Sequence, residues 1–156
     1  MKNSKYAFTM IEMIFVIVVL GILASIALPR FAATRDDAHI TKGRADISSI
    51  RSAIITERQS RLIRGDSDYI EAGNGADQLD DGGLFGGVLT YPINDSATNG
   101  NWTNLTRPDV NSSTYAYQSA GTAITFTYTR SPDGIFTCST TAGTDAQDEL
   151  CKDLIN

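Results

Sequence analysis

The first part of the chain is almost uninterruptedly apolar. From Phe8 to Leu28 the only charged residue is Glu12. At about 1.5 Å per residue, a helix of this length can cross the hydrocarbon core of a bilayer. We therefore predict a membrane-spanning helix over residues 8–29, which Pro29 should bend or locally loosen.

An amphipathic pattern follows over residues 30–64. Apolar residues recur at intervals of seven and are joined by two more that widen the stripe: Ala33, Ile40, Ile47, Ile54, Ile50 and Leu62. This pattern predicts a stalk helix whose apolar stripe packs on a sheet. The heptads lack a consistent second apolar position, which argues against a free coiled coil. Gly43 interrupts the helix mildly, and Gly65 is a stop signal.

Residues 66–87 are rich in acidic residues and glycine. This composition predicts a solvated surface loop. Calcium is a conceivable ligand because hard cations prefer carboxylate and carbonyl oxygens, but the spacing does not match an EF-hand. We therefore predict no metal site and no cofactor, with calcium as the one ligand left open.

The pattern then changes to a period of two. Ile124, Phe126 and Tyr128 alternate with threonines, and Tyr115 and Tyr117 flank an alanine. Together with residues 88–93 and 135–138, these segments predict an antiparallel meander of about four strands. The turns between the last strands are expected at residues 119–121 and 131–134. Helix first and meander second makes an α+β fold.

A carboxylate within an apolar segment is unfavourable. An acidic residue at the membrane centre costs about 2.5–3.5 kcal/mol, so Glu12 is expected to have a function. Lys2 and Lys5, followed by Ala7-Phe8-Thr9-Met10-Ile11-Glu12, resemble the class III leader of type IV pilins and type II secretion pseudopilins. The resemblance implies a pilin-like fold, a prepilin peptidase that cuts between Ala7 and Phe8, and N-methylation of Phe8.

After cleavage, Phe8 carries a cationic amine in an apolar surrounding. Pairing this amine with Glu12 of a neighbouring copy offsets the desolvation cost of both groups and would set the register of assembly. One alternative is that Glu12 lies near the headgroups and merely reaches water. A second alternative is an ordinary secretory signal cleaved after Ala27, which would release a soluble exported binding domain.

Cys138 and Cys151 are the only cysteines and enclose 12 residues. In an oxidising periplasm a disulfide is expected, worth about 3 kcal/mol in the chain-entropy model. Type IV pilins commonly close a C-terminal loop in this way, whereas many major pseudopilins do not. The alternatives are two free thiols or a metal site, although the lone, distant His39 makes poor zinc ligation.

Charge and motifs narrow the function further. The net charge is −5. Removal of Lys2 and Lys5 leaves 11 basic residues of the original 13 against 18 acidic ones, a charge of −7 that disfavours nucleic-acid binding through the bulk surface. No nucleophile elbow, phosphate loop or HExxH motif occurs, so we predict no catalytic residues and no enzyme.

Four N-x-[ST] sequons occur in the polar region, at Asn94, Asn101, Asn104 and Asn111. Only Asn111 also has an acidic residue two positions earlier, as bacterial oligosaccharide transfer typically requires. Glycosylation at Asn111 is therefore a hypothesis, and a polar loop is the simpler explanation for all four sequons.

The expected domain organisation is a cleaved leader (1–7), a membrane and assembly helix (8–29), a stalk helix (30–64) and a periplasmic globular part (65–156). The resemblance implies an inner-membrane subunit, with its N-terminus cytoplasmic before processing, that polymerises with itself and with minor pilins or pseudopilins on an inner-membrane assembly platform. A type II secretion pseudopilin is the first expectation. A type IV pilin for adhesion, motility or DNA uptake is the alternative.

Overall fold

A computed structural model of the chain describes residues 8–106, 109–138 and 145–155. Its elements, in chain order, are helix α1 (Met10–Ile63), strands β1 (Trp102–Asn104), β2 (Ser112–Ser119), β3 (Thr122–Thr129) and β4 (Ile135–Cys138), and helix α2 (Asp145–Ile155). A long N-terminal helix followed by an antiparallel sheet confirms the α+β, pilin-like fold class. The chain divides into two compact units, Met1–Asp37 and Ala38–Asn156.

The first unit contains the apolar part of α1. Met10–Leu28 is long and apolar enough to cross a membrane, by length and composition, and none of it is buried within the chain. The helical backbone continues through Pro29. The proline therefore does not end the helix, and the bend predicted there stays a prediction.

In the second unit, α1 buries the predicted apolar stripe. Ile47, Ile50 and Ile54 are buried, and Ile40 packs against the same core. The prediction that this helix packs on the sheet is confirmed for these residues. The side chain of Ala33 lies outside the described residues.

The prediction that Leu62 widens this stripe is wrong, because its side chain is 48% exposed. The seven-residue spacing of Ile47 and Ile54 continues to Arg61, which directly precedes Leu62. The Arg61 guanidinium donates to the Asp77 carbonyl at 3.0 Å. The last turn of α1 thus contacts the following loop through an arginine rather than a leucine.

Helix α1 ends at the predicted glycine. Gly65 adopts a φ of 88°, in the left-handed region. The Asp66 N–H donates to the Arg61 carbonyl at 3.0 Å, and the Gly65 N–H donates to the Leu62 carbonyl at 3.1 Å. These two bonds form a Schellman motif, which satisfies carbonyls that the helix end would otherwise leave unpaired.

Gly43 is a point of close packing rather than only a weak helix position. A Cβ at this residue would lie 2.7 Å from Leu154 Cδ2 of α2 and 2.7 Å from Tyr117 Cε1 of β2. Real Cβ atoms do not approach other atoms so closely. The absence of a side chain therefore allows α2 and the sheet to reach α1.

The four strands form one antiparallel sheet in the order β1-β2-β3-β4. The predicted turn between β2 and β3 is confirmed: Ala120 and Gly121 both have positive φ and connect the strands as a two-residue hairpin. The predicted turn at residues 131–134 also precedes β4.

The predicted strand over residues 88–93 is wrong. Of these residues only Ile93 forms a bridge, to Leu84. The Val88 and Leu89 N–H groups instead donate to the Phe85 carbonyl in a turn, and Pro92 has no N–H to give to a ladder. The first strand of the sheet is Trp102–Asn104, which the sequence analysis left in a loop.

The core lies between α1 and the sheet. It is an aromatic cluster in which successive rings touch edge-on, tilted or stacked, with centroids 4.5–6.1 Å apart. Its members are Phe85, Trp102, Tyr115, Tyr117, Phe126 and Phe136. Edge and offset contacts of this kind add to the stabilisation from burial alone.

The segment predicted as a solvated loop, residues 66–87, supplies part of this core. Ile70, Leu79 and Phe85 are fully buried, and Asp80 is only 5% exposed. The expectation of a purely surface loop is wrong here. The apolar residues are spaced too irregularly among glycines and acidic residues to give a periodic signal. Their burial therefore could not be predicted from the composition of the segment.

Asp80 joins this segment to the sheet. One carboxylate oxygen accepts from the Phe85 N–H at 2.9 Å, and the other accepts from Asn104 Nδ2 at 3.1 Å and from the Tyr115 hydroxyl at 2.8 Å. Burial raises the pKa of Asp80, because desolvation of the charge outweighs these hydrogen bonds.

The predicted disulfide is confirmed. Cys138 at the end of β4 is bonded to Cys151 of α2, with Cα atoms 6.1 Å apart. Arg44 of α1 also donates to the Asp153 carbonyl near the end of α2. The C-terminal helix is thus attached to both the sheet and the stalk helix.

Strand β4 lies at one edge of the sheet. Arg51 of α1 donates from Nε to the Phe136 carbonyl of this strand at 3.0 Å. A side chain therefore occupies a main-chain acceptor that edge strands usually leave open.

Candidate functional site

The N-terminus of α1 is closed by a capping box formed by Thr9 and Glu12. The Glu12 N–H donates to Thr9 Oγ1 at 3.3 Å. In return, Glu12 Oε2 accepts from the Thr9 N–H at 3.0 Å and from the Thr9 hydroxyl at 3.0 Å. This reciprocal pairing satisfies backbone donors that the first helical turn cannot pair internally.

The sequence analysis missed this intramolecular role. The signal was present, since Thr9-x-x-Glu12 before an apolar run is a capping-box pattern. The capping box changes how the Glu12 carboxylate can act. Its Oε2 serves the helix terminus, whereas Oε1 makes no hydrogen bond to the described residues and stays available to a cation from outside the chain.

The surroundings of Glu12 are apolar and uncovered. Phe8 is 81% exposed and Ile11 75% exposed, and the large side chains through Leu28 are also exposed. A continuous apolar surface of this extent marks a region that contacts lipid or other protein. The structure places Phe8 one residue before the helix cap, whereas Ala7 and the proposed scissile bond lie outside the described residues.

The predicted glycosylation site is only partly accessible. Asn111 is exposed, but Ser113, which completes its sequon, lies in β2 and is 1% exposed. Asn104, in another sequon, donates to Asp80 as described above. Glycosylation of Asn111 therefore stays a prediction. Because Ser113 is buried in the folded sheet, we expect any transfer of the sugar to precede formation of the sheet.

No cluster of three or more metal-ligating side chains occurs within the described ranges 8–106, 109–138 and 145–155. Both cysteines are engaged in the disulfide. His39 lies beside Gly100, where a Cβ on the glycine would meet the imidazole, so the histidine contributes to packing.

Comparison with known proteins gives matches that involve the N-terminal segment and the whole chain. The profile of the prokaryotic N-terminal methylation motif matches residues 2–28. The type II secretion system core protein G of Pseudomonas aeruginosa is 36% identical over 53 residues, which is 34% of this chain and 37% of that protein. The chain thus matches little more than a third of the length of this relative.

Two type IV major fimbrial proteins FimA of Dichelobacter nodosus are similar over nearly the full length. They are 26% and 27% identical, over 97% and 98% of this chain and 99% of each fimbrial protein. No solved structure gave a significant match.

The fold and these matches make the chain similar to structural subunits of the pilin and pseudopilin type. The resemblance inferred from the leader and from Glu12 is thereby confirmed. The relatives are named as a core protein of a secretion system and as major fimbrial proteins.

Proposed function

We propose that the chain is a membrane-anchored, exported subunit that is cut between Ala7 and Phe8, methylated at Phe8, and polymerised through its N-terminal helix into a filament. The observation that carries the proposal is the uncovered apolar helix of Met10–Leu28. Its first turn contains one carboxylate, Glu12, which lies within the methylation motif. We infer a mechanical role without catalysis, with lipid covering the helix before assembly and neighbouring helices covering it afterwards.

The role of Glu12 in this proposal follows from its geometry. The cationic amine of Phe8 from a neighbouring copy would bind Oε1, which the capping box leaves open. In an apolar surrounding, an unpaired amine or carboxylate is strongly unfavourable, so pairing selects one axial position of the incoming subunit. Thr9 donates to Oε2, which leaves Oε1 as the oxygen for pairing.

The processing step is tested by the mass of the N-terminal peptide of the membrane-extracted protein. A peptide that begins at Phe8 and carries one additional methyl group is expected. A peptide that begins at Leu28 would mean a soluble secreted domain, and the assembly role of Glu12 would then be wrong.

The pairing step is tested by two substitutions that separate charge from helix capping. Glu12→Gln keeps a residue that can complete the capping box but removes the charge, so it should prevent assembly after normal processing. Thr9→Ala is the matched control, because it removes the hydroxyl of the cap and keeps the Glu12 charge; assembly should persist. Normal filaments from Glu12→Gln would refute charge pairing, and equal loss in both variants would assign the defect to capping.

Of the two filament types, we propose a type IV pilus first. Similarity that extends over the whole chain to fimbrial proteins, together with the Cys138–Cys151 disulfide, supports this choice. The type II secretion pseudopilus, favoured by size and acidity, is the second candidate. It is supported by 36% identity to protein G over 34% of the chain. An N-terminal methylation segment is common to both filament types, so that segment does not separate them.

Deletion of the gene separates these candidates. Loss of surface fibres with secretion intact is expected for the pilus. Loss of an extracellular enzyme from the medium, with surface fibres intact, would instead favour the pseudopilus.

A further inference from the structure

Lys42 of α1 lies against the carboxamide of Asn101, the residue just before β1. Lys42 Nζ donates to Asn101 Oδ1 at 3.1 Å, and it also donates to the Gly100 carbonyl. The two residues are 59 positions apart in the chain. The fold therefore brings a primary amine and an amide carbonyl into direct contact.

The amide is held in one orientation. Asn101 Nδ2 donates to Thr98 Oγ1 at 2.8 Å, which leaves Oδ1 facing Lys42. The backbone around it is paired with β2: the Gly100 N–H donates to the Gln118 carbonyl at 2.7 Å, and the Gln118 N–H donates to the Asn101 carbonyl at 3.0 Å. Preorganisation of this kind removes much of the entropic cost of a reaction between two groups.

A carboxylate one helical turn further on balances the charge of the amine. Asp46 interacts electrostatically with Lys42 and accepts from Trp102 Nε1 at 3.0 Å. Lys42 itself is exposed, so water can accept the proton that its amine loses.

We propose that Lys42 and Asn101 form an intramolecular isopeptide bond. The ammonium first loses a proton, and Nζ then attacks Cγ of Asn101 to give a tetrahedral carbon. The Cγ–Nδ2 bond breaks, and Nδ2 takes up a proton and leaves as ammonia. One C–N bond forms and one breaks, so the step requires no oxidant, reductant or cofactor.

The distance is compatible with this chemistry. A carbonyl carbon lies about 1.2 Å from its oxygen, so Nζ is at most about 4.3 Å from Cγ. Reacting atoms in productive geometries are about 3–3.5 Å apart, and a shift of about 1 Å in the flexible lysine stem closes the difference. The bond would fix the stalk helix covalently to the start of the sheet, whatever kind of filament the chain forms.

The test uses the full-length chain in detergent, incubated at about pH 7 and at about pH 9, followed by intact mass and tryptic peptide mapping. The expected product is lighter by one ammonia and gives a branched peptide that joins Lys42 to Asn101. Because the neutral amine is the nucleophile, the initial rate should be higher at about pH 9 than at about pH 7.

Lys42→Arg is the matched control. It keeps the charge and hydrogen-bond donors of the lysine, but a guanidinium does not form the amide, so the branched peptide should be absent. Succinimide formation at Asn74-Gly75 or Asn99-Gly100 would also release ammonia, but equally in this variant. An equal mass loss in both proteins, or no branched peptide from the native sequence at about pH 9, would overturn the proposal.

Discussion

Replacement of Asp80 by alanine should destabilise the second unit strongly. The carboxylate is 5% exposed and accepts three hydrogen bonds. Two of the donors, the Phe85 N–H and the Tyr115 hydroxyl, belong to residues with no exposed surface. Without Asp80 these donors would be buried and unpaired, whereas Asn104 is partly exposed and can turn to water.

The magnitude follows from the two orphaned donors. Each buried unsatisfied group costs about 1–3 kcal/mol, which gives about 2–6 kcal/mol for the pair. Removal of a desolvated carboxylate offsets part of this cost, because burial already disfavours its charge. We therefore expect a net loss of about 2–4 kcal/mol, a large fraction of the stability of a typical domain.

The measurement is urea unfolding of the detergent-solubilised full-length chain, followed by tryptophan fluorescence. Trp102 is the only tryptophan in the sequence and is fully buried in the core, so its emission reports on the second unit. Asp81→Ala is the matched control, since Asp81 is exposed and accepts a bond from the exposed Asp77 N–H at 3.2 Å. Because that donor can turn to water, the effect should stay within about 1 kcal/mol.

A double-mutant cycle makes the test specific to the hydrogen bond. Tyr115→Phe should cost stability in the native background but little in the Asp80→Ala background, where the hydroxyl has already lost its acceptor. Equal costs of Tyr115→Phe in both backgrounds would refute the argument. So would an Asp80→Ala variant as stable as the native chain.

Three other predictions concern stability in the same assay. Gly43→Ala should lower the free energy of unfolding by about 1–2 kcal/mol, because overpacking outweighs the gain of about 1 kcal/mol in helix propensity. A more stable Gly43→Ala variant would disprove the close packing. The Ala45→Gly variant, at an exposed position of the same helix, measures the effect of helix propensity alone. The Cys138→Ser/Cys151→Ser pair should lose about 3 kcal/mol, whereas an unchanged unfolding midpoint would mean that the bridge is dispensable. Because folding raises the pKa of Asp80, the folded chain binds that proton more tightly than the unfolded chain. Acidification through the raised pKa should thus stabilise the native chain relative to Asp80→Asn, and parallel pH profiles would contradict this.

The parts of the fold that were predictable from sequence are those with a regular period or a strong local signal. The heptad spacing located Ile47 and Ile54 on the buried face of α1. Gly65 marked the end of the helix, and the alternation around Phe126 located β3. These signals are local, so a few neighbouring residues are enough to carry them.

The parts that were not predictable depend on contacts between distant segments. Val88 and Leu89 have strand-like side chains but pack from a turn, and Trp102 lies in a three-residue strand too short to show alternation. Asp80 is indistinguishable in sequence from its exposed neighbour Asp81. Only the tertiary position of Tyr115 decides which of the two carboxylates is buried.

At the N-terminal site, sequence reasoning singled out Glu12 for pairing with another chain, which stays a prediction, and missed its hydrogen bonds to Thr9. The apolar surroundings drew attention to the charge, and so the carboxylate was interpreted through a partner in another chain. The capping box with Thr9 is short-range and could have been recognised. It shows that one carboxylate oxygen of Glu12 already accepts hydrogen bonds within its own chain.

The hydrogen bond from Arg51 to the Phe136 carbonyl has a consequence for crowded membranes. Subunits of a polymer accumulate at high local concentration before they are used, and an open sheet edge would let two of them add strand to strand. With the Phe136 carbonyl of this edge occupied by an arginine of the same chain, strand addition at β4 is disfavoured. In the filament proposed above, subunits would then associate through their helices rather than through this edge.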